Sequence, residues 1–137
     1  MRVIVGYGNS LRGEDAFGVD CIKELEKCEL KEIKLISTFQ LTPEIVLELL
    51  EANEIIFIDA CYSLENQYKL CCGISKQNNS NLTHHITPFN IITILNGAYK
   101  KYPKFYIYSM LTNSFDGILD IKLYNKSIKL TISQIII

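Results

Sequence analysis

Continuous apolar runs and helical periodicities alternate along the chain, and this alternation predicts a mostly parallel sheet covered by helices. Two short apolar runs, residues 2–6 and 55–59, are typical of strands that are buried on both faces. Between them, residues 16–27 place apolar side chains at helical spacing, and residues 32–38 alternate as a second strand. The pattern therefore predicts an α/β fold in which residues 55–59 form the central strand.

Threonine followed by proline marks two predicted helix starts. Thr42-Pro43 predicts a helix over residues 42–52, and Thr87-Pro88 predicts a helix over residues 87–101. The threonine hydroxyl can cap the first turn, and proline fits the first helical position because its missing N–H has no partner there.

The remaining apolar segments predict two further strands and a C-terminal helix. Residues 67–75 and 105–108 have the length and composition of strands. In the tail, apolar residues recur at helical spacing from Ile121 to Ile135, although the β-branched content would also suit a strand. We predict a helix there, and a single domain over residues 1–137.

Composition and charge exclude several classes of protein. The chain has 137 residues, is 48% hydrophobic and 21% charged, and has a net charge of −1, which excludes a disordered chain and gives no basic face for nucleic acid. No run approaches the ~18 apolar residues of a membrane span, so we expect no membrane partner. The five cysteines form no C-x-x-C pair, and no signal peptide is recognisable, so we expect a reducing, cytoplasmic location.

Polar residues that could carry chemistry follow the predicted strands. In an open α/β sheet, ligands bind beyond the carboxyl ends of the strands. The glycine-rich loop after the first strand holds Glu14 and Asp15, Asp59 ends the central run, and His84 and His85 precede a predicted helix. Carboxylates with one imidazole form a mixed oxygen and nitrogen site that suits borderline divalent metals.

Two other functions compete with a metal site. Gly6-x-Gly8 resembles the start of a dinucleotide fingerprint, but Leu11 stands at the third glycine position, and no P-loop is present. The acids after the first strand and Asp59 also fit a receiver domain of a response regulator, although no lysine ends the last strand. A non-catalytic nucleotide-binding or receiver-like signalling domain is therefore the alternative.

Three segments resemble the hydrogenase maturation endopeptidases. The opening signature is GYGNSLRGEDAFGV at residues 6–19, followed in order by FIDA at 57–60 and HITPF at 85–89. FQLTPE at residues 39–44 resembles a form found in some branches of that family. The resemblance covers about residues 1 to 110, and its first motif is the most specific.

The resemblance implies a three-layer α/β/α sandwich with a mostly parallel central sheet, of flavodoxin-like or phosphorylase-like type. It also implies an endopeptidase that removes the C-terminal extension of a [NiFe]-hydrogenase large-subunit precursor after nickel insertion. Carried over by motif position, Asp15, Asp59 and His85 would be the metal ligands, with nickel supplied by the substrate. His85 is preferred to His84 because the family's histidine stands three residues before a Pro or Gly.

Two further assignments and one departure accompany the resemblance. Asn9 and Gln40 are placed to orient the substrate peptide, and no separate catalytic residue is assigned. Many members of the family carry an Asp-Gly-Gly turn after the second strand, whereas this chain has Ser37-Thr38-Phe39. The departure points to a different substrate branch.

Overall fold

Within the described part of the chain, five strands form one mixed sheet. The structure is a computed structural model that describes residues 1–73 and 86–136. Its strands are β1 (Arg2–Tyr7), β2 (Ile33–Thr38), β3 (Glu54–Tyr62), β4 (Lys69–Gly73) and β5 (Lys104–Thr112). Its α-helices are α1 (Phe17–Leu25), α2 (Pro88–Ala98) and α3 (Ile121–Ile135), and two 3₁₀ helices span Gly13–Ala16 and Pro43–Glu48. The β2-β1-β3-β5 ladder is parallel, and β4 pairs with β5 in the antiparallel sense.

Both faces of the sheet are buried, which explains the continuous apolar runs. Val3 and Val5 of β1 face a cluster that includes residues of α2 and of the second 3₁₀ helix. Ile4 of β1 and Ile56 of β3 face the opposite cluster, to which α1 and α3 contribute. The result is the three-layer α/β/α sandwich that the resemblance implied.

The Thr87-Pro88 start and the helical tail are confirmed. Thr87 Oγ1 accepts a hydrogen bond from Asn90 N at 3.3 Å, and Asn90 Oδ1 accepts one from Thr87 N at 2.8 Å, so the two residues form a capping box. α3 begins after Asp120, whose carboxylate accepts hydrogen bonds from the two backbone amides of residues 122 and 123. Because α3 packs one face on α1, the helical spacing of its apolar residues decided its structure over their β-branched content.

The helix predicted over residues 42–52 was wrong in type and length. Pro43–Glu48 is a six-residue 3₁₀ helix, and the Thr42 side chain makes no capping hydrogen bond to it. Ile45 and Val46 are adjacent, β-branched and both buried. Such residues are poor α-helix formers, and the segment is short enough for burial to outweigh helical periodicity.

The central strand is longer than its apolar run. Asp59 was predicted to end that strand, but β3 continues to Tyr62. The continuation is held by pairing, because residues 60–62 align with Met110, Leu111 and Thr112 of β5. Asp59 is therefore an acid within the ladder, opposite Ser109, rather than at the end of it.

The strand predicted over residues 67–75 begins later and runs against its neighbour. β4 covers Lys69–Gly73, and residues 74 and 75 lie outside the described part of the chain. As an antiparallel edge strand, β4 is the exception to the parallel pattern that the alternation of strands and helices predicted. Among the described residues, no helix is long and apolar enough to cross a membrane.

Candidate active site

The loop after β1 folds tightly enough to bring Asp15 back to the end of that strand. Gly8 has φ +148°, and a Cβ added to it would lie 2.0 Å from the backbone oxygen of Asp15. Only glycine tolerates both this conformation and this approach. The backbone N–H of Asn9 then donates a hydrogen bond of 3.1 Å to Asp15 Oδ2.

A cleft of 570 Å³ opens beside this loop. Of the predicted site residues that the structure describes, Asn9, Asp15 and Gln40 line it and Asp59 does not. Phe39 also lines the cleft, with 62% of its surface exposed. The cleft thus combines polar side chains with an exposed aromatic ring, an arrangement typical of sites that bind organic ligands or peptides.

The Asn9 side chain already makes one hydrogen bond within its own loop. Its side-chain Oδ1 accepts a hydrogen bond of 2.9 Å from the backbone N–H of Leu11. The side-chain amide nitrogen is the group left for a ligand in the cleft, so a role in orienting a substrate stays a prediction, as it does for Gln40.

Asp59 is held by two hydroxyl groups from neighbouring strands. Tyr7 OH donates to Asp59 Oδ2 at 2.6 Å, and Ser109 Oγ donates to Oδ1 at 2.5 Å. Burial raises the pKa of the Asp59 carboxyl, while the two hydrogen bonds act in the opposite direction. The charge of Asp15 adds to the rise in the pKa of Asp59, so the two predicted ligands lie within electrostatic reach of each other.

Tyr7 connects Asp59 to the cleft. Its side chain lines the cleft and its hydroxyl contacts Asp59. Burial, together with the nearby Asp59 carboxyl, strongly raises the pKa of Tyr7, so the phenol stays protonated and donates its hydrogen bond. The Tyr7 phenol therefore lies between the cleft and the Asp59 carboxylate.

Glu14, next to Asp15, is fully buried and joins several segments. Its carboxylate Oε1 accepts from Gln67 Nε2 at 2.8 Å and from the Thr112 hydroxyl. Oε2 accepts from Leu119 N at 3.0 Å and from the Tyr68 hydroxyl. Four donors satisfy a buried carboxylate, which would otherwise be costly to remove from water. Glu14 thereby fixes the 3₁₀ turn that carries Asp15.

Solved structures match this fold, although no protein-family profile and no curated protein matches the sequence. The [NiFe]-hydrogenase maturation protease HycI from Thermococcus kodakarensis KOD1 aligns with a TM-score of 0.75 at 18% identity, covering 98% of this chain and 88% of that chain. The hydrogenase maturating endopeptidase HybD from E. coli aligns with a TM-score of 0.76 at 17% identity, with the same coverage of both chains. The chain has the fold of the hydrogenase maturation proteases.

A third neighbour shares this maturation-protease fold over nearly the whole of both chains. The hydrogenase 2 maturation peptidase from Thaumarchaeota archaeon SCGC_AB-539-E09 has a TM-score of 0.69 at 16% identity, covering 98% of this chain and 94% of that chain. At these identities the likeness establishes the architecture, and the chemistry rests on the side chains of this chain.

The predicted histidine ligand lies outside the described residues. His84 and His85 both fall in residues 74–85, and Ile86, which follows them, lines the cleft. Within residues 1–73 and 86–136, no group of three or more histidine, cysteine or acidic side chains is arranged to hold a metal ion. Asp15 and Asp59 therefore form the described part of the predicted site, and the roles of all three residues stay predictions.

Sequence reasoning missed three residues that shape the site. Tyr7 and Ser109 hold Asp59, and Glu14, named from the sequence only as a polar residue beside Asp15, is fully buried and fixes the turn. The pattern gave no signal for the first two, because their contacts with Asp59 join residues 52 and 50 positions apart. For Glu14, an acid beside a predicted ligand could have indicated a supporting role, but not its burial.

Proposed function

We propose that this chain is an endopeptidase that removes the C-terminal extension of a [NiFe]-hydrogenase large-subunit precursor after nickel insertion. The observation that carries the proposal is that Asp15 lines the cleft of a maturation-protease fold, while Asp59 contacts the hydroxyl of Tyr7, which lines the same cleft. The hydrogenase specificity rests on the motifs at residues 6–19 and 57–60 and on the names of the structural neighbours.

The described donor groups fit a divalent metal carried by the substrate. Two carboxylates, Asp15 on the 3₁₀ turn after β1 and Asp59 on β3, suit such an ion, and with His85 they would leave coordination positions for groups of the precursor. The hydroxyls that hold Asp59 can also rotate or withdraw when the carboxylate takes a new partner. A bound divalent ion supplies Lewis acidity and lowers the pKa of water, as peptide hydrolysis requires.

The chain's own residues supply positioning. Tyr7 and Ser109 keep the Asp59 carboxylate in one orientation, and Glu14 holds the turn that presents Asp15. Gln40 lines the cleft, and we propose that its side-chain amide bonds the backbone of a bound peptide. We propose that the protein works in a reducing compartment, the cytoplasm, where its free cysteines persist as thiols.

The test compares Asp59→Asn with wild type on nickel-loaded precursor. We expect Asp59→Asn to abolish cleavage and to leave the melting temperature within a few degrees. The asparagine keeps the size of the side chain, and either hydroxyl partner can turn to accept a hydrogen bond from the new amide. Glu29→Gln, at an exposed position on the chain surface, is the matched loss of one charge and should cleave normally.

Product is measured by mass spectrometry of the precursor after incubation. Normal cleavage by Asp59→Asn would contradict the ligand role of Asp59. If the precursor is not cleaved, binding of a nucleotide or phosphorylation of Asp59 by an acyl phosphate would favour the signalling alternative.

A further inference from the structure

The outer edge of β2 presents backbone groups that a peptide strand can pair with. β2 is an edge strand whose neighbour is β1. Arg2 N donates to Glu32 O at 3.3 Å, and Gly8 N donates to Thr38 O at 3.2 Å. In a parallel ladder, residues of one strand alternate between its two sides. Even-numbered residues of β2 therefore bond to β1, and the odd-numbered ones point outward.

The outward-pointing residues are Ile33, Leu35 and Ser37. Within residues 1–73 and 86–136, no hydrogen bond reaches their backbone N–H or C=O groups. Ser37 is exposed, and the other two are half-buried. Natural edge strands are usually blocked by proline, a bulge or an outward charge, and β2 has no proline. A row of unpaired groups of this kind is complementary to the backbone of an extended peptide.

A groove beside this edge continues into the cleft. It has a volume of 210 Å³ and lies between β2 and the 3₁₀ helix Pro43–Glu48. Gln40 and Thr42 line both the groove and the cleft, so the two are continuous. A chain paired with β2 therefore runs towards the cleft that holds Asp15.

The groove also has a net negative charge. Glu44 and Glu48 line it, and Lys34 neutralises only Glu48, with 3.6 Å between Lys34 Nζ and Glu48 Oε1. Hydrogen bonds from its own backbone and from Thr42 lower the pKa of Glu44, so it is ionised at neutral pH. The groove is therefore complementary to one basic side chain of an added strand, opposite Glu44.

We propose, resting on the proposed function, that the outer edge of β2 binds the precursor's C-terminal extension as an added strand that leads the scissile bond into the cleft. The extension is bound by backbone pairing to Ile33, Leu35 and Ser37. A lysine or arginine of the extension lies in the groove against Glu44. The affinity for this C-terminal segment then depends on its ability to adopt a β-strand conformation rather than on a long specific sequence.

The test uses Ser37→Pro with Ser37→Ala as its matched variant. Proline removes the outward N–H and leaves the bonds to β1 in place, since an edge strand tolerates proline at such a position. Alanine removes the hydroxyl and keeps the N–H. We expect the KM of Ser37→Pro for nickel-loaded precursor to exceed that of Ser37→Ala at least tenfold at similar kcat, because uniform binding is lost. Equal KM values with normal cleavage would overturn this inference alone.

If Ser37→Pro does not fold, amide hydrogen exchange on the wild-type chain tests the inference instead. The probe is a synthetic peptide with the sequence of the extension that the wild type removes. We expect it to slow exchange at residues 33, 35 and 37 at least tenfold, with little change at Lys34 and Ile36, which already bond β1. If the peptide does not slow exchange at these residues, the inference is overturned. It is also overturned if raising the protein concentration slows exchange without any peptide, because a second copy of the chain would then cover the edge.

The two proposals fail in different ways. If the wild type cleaves no hydrogenase precursor, the proposed function fails and this inference fails with it. If the wild type cleaves while the β2 amides and the KM of Ser37→Pro are unaffected, the endopeptidase remains and its substrate binds elsewhere.

Discussion

Replacing Glu14 with glutamine should destabilise the fold far more than replacing any exposed acid. The carboxylate accepts hydrogen bonds from four groups, and it is 0% exposed. Glutamine keeps the size of the side chain, but its NH₂ group replaces one carboxylate oxygen and therefore faces hydrogen-bond donors that it cannot accept from. The Leu119 N–H cannot reverse its role, and the Tyr68 hydroxyl already accepts a bond of 2.7 Å from Asp120 N.

The size of the effect follows from the bonds lost. About two donors lose their acceptor, and each unsatisfied buried donor costs about 1–3 kcal/mol. Leu119 lies at an exposed position, so water replaces part of its bond and a total of about 3 kcal/mol is expected. For a domain of this size, that corresponds to a fall in melting temperature of about 10 °C.

The assay is thermal and urea unfolding of Glu14→Gln beside Glu29→Gln. Glu29 is exposed, so its variant should melt within about 1–2 °C of wild type. A double-mutant cycle with Tyr68→Phe isolates one of the four contacts, and we expect a coupling of about 1 kcal/mol or more. A Glu14→Gln variant that melts like wild type would refute the account of Glu14 as the group that joins these segments.

Two further predictions concern a buried tyrosine and the histidine pair. Burial, and then the hydrogen bond to Asp20, raises the pKa of Tyr124 in the folded protein. The stabilisation that protonated Tyr124 provides is therefore complete below about pH 10, the pKa of tyrosine in the unfolded chain, and falls as the pH rises further. Tyr124→Phe should reduce the loss of unfolding free energy between pH 10 and 11 by up to about 1.4 kcal/mol in urea titrations, and an unchanged slope would contradict this. His85→Ala should eliminate cleavage of nickel-loaded precursor while His84→Ala retains most of it, and the reverse result would place the ligand one residue earlier.

Local sequence was sufficient to predict β1, the first half of β3 and the start of α2. β1 and the first half of β3 are buried on both faces, so their sequences are almost wholly apolar. α2 carries its start signal in Thr87-Pro88, and its capping box lies within the four residues 87–90. Such features need no knowledge of distant segments.

The missed features depend on partners far away in the sequence. The second half of β3 is strand because β5 extends beside it, and nothing in residues 60–62 alone requires this. The bonds of Glu14 reach residues 53 to 105 positions away, so its burial could not be inferred from the loop that holds it. Local pattern therefore identified Asp15 and Asp59 as candidate site residues but placed Asp59 at the end of its strand, whereas tertiary contacts extend β3 beyond it and supply the hydroxyls that hold it.

The central claim is tested most directly by the mass of a hydrogenase large-subunit precursor after incubation with this protein, with nickel inserted and without. We predict a shorter product that has lost its C-terminal extension in the nickel-loaded sample, and an unchanged mass in the nickel-free sample. An intact precursor in both samples would contradict the endopeptidase, and equal cleavage in both would contradict its dependence on nickel.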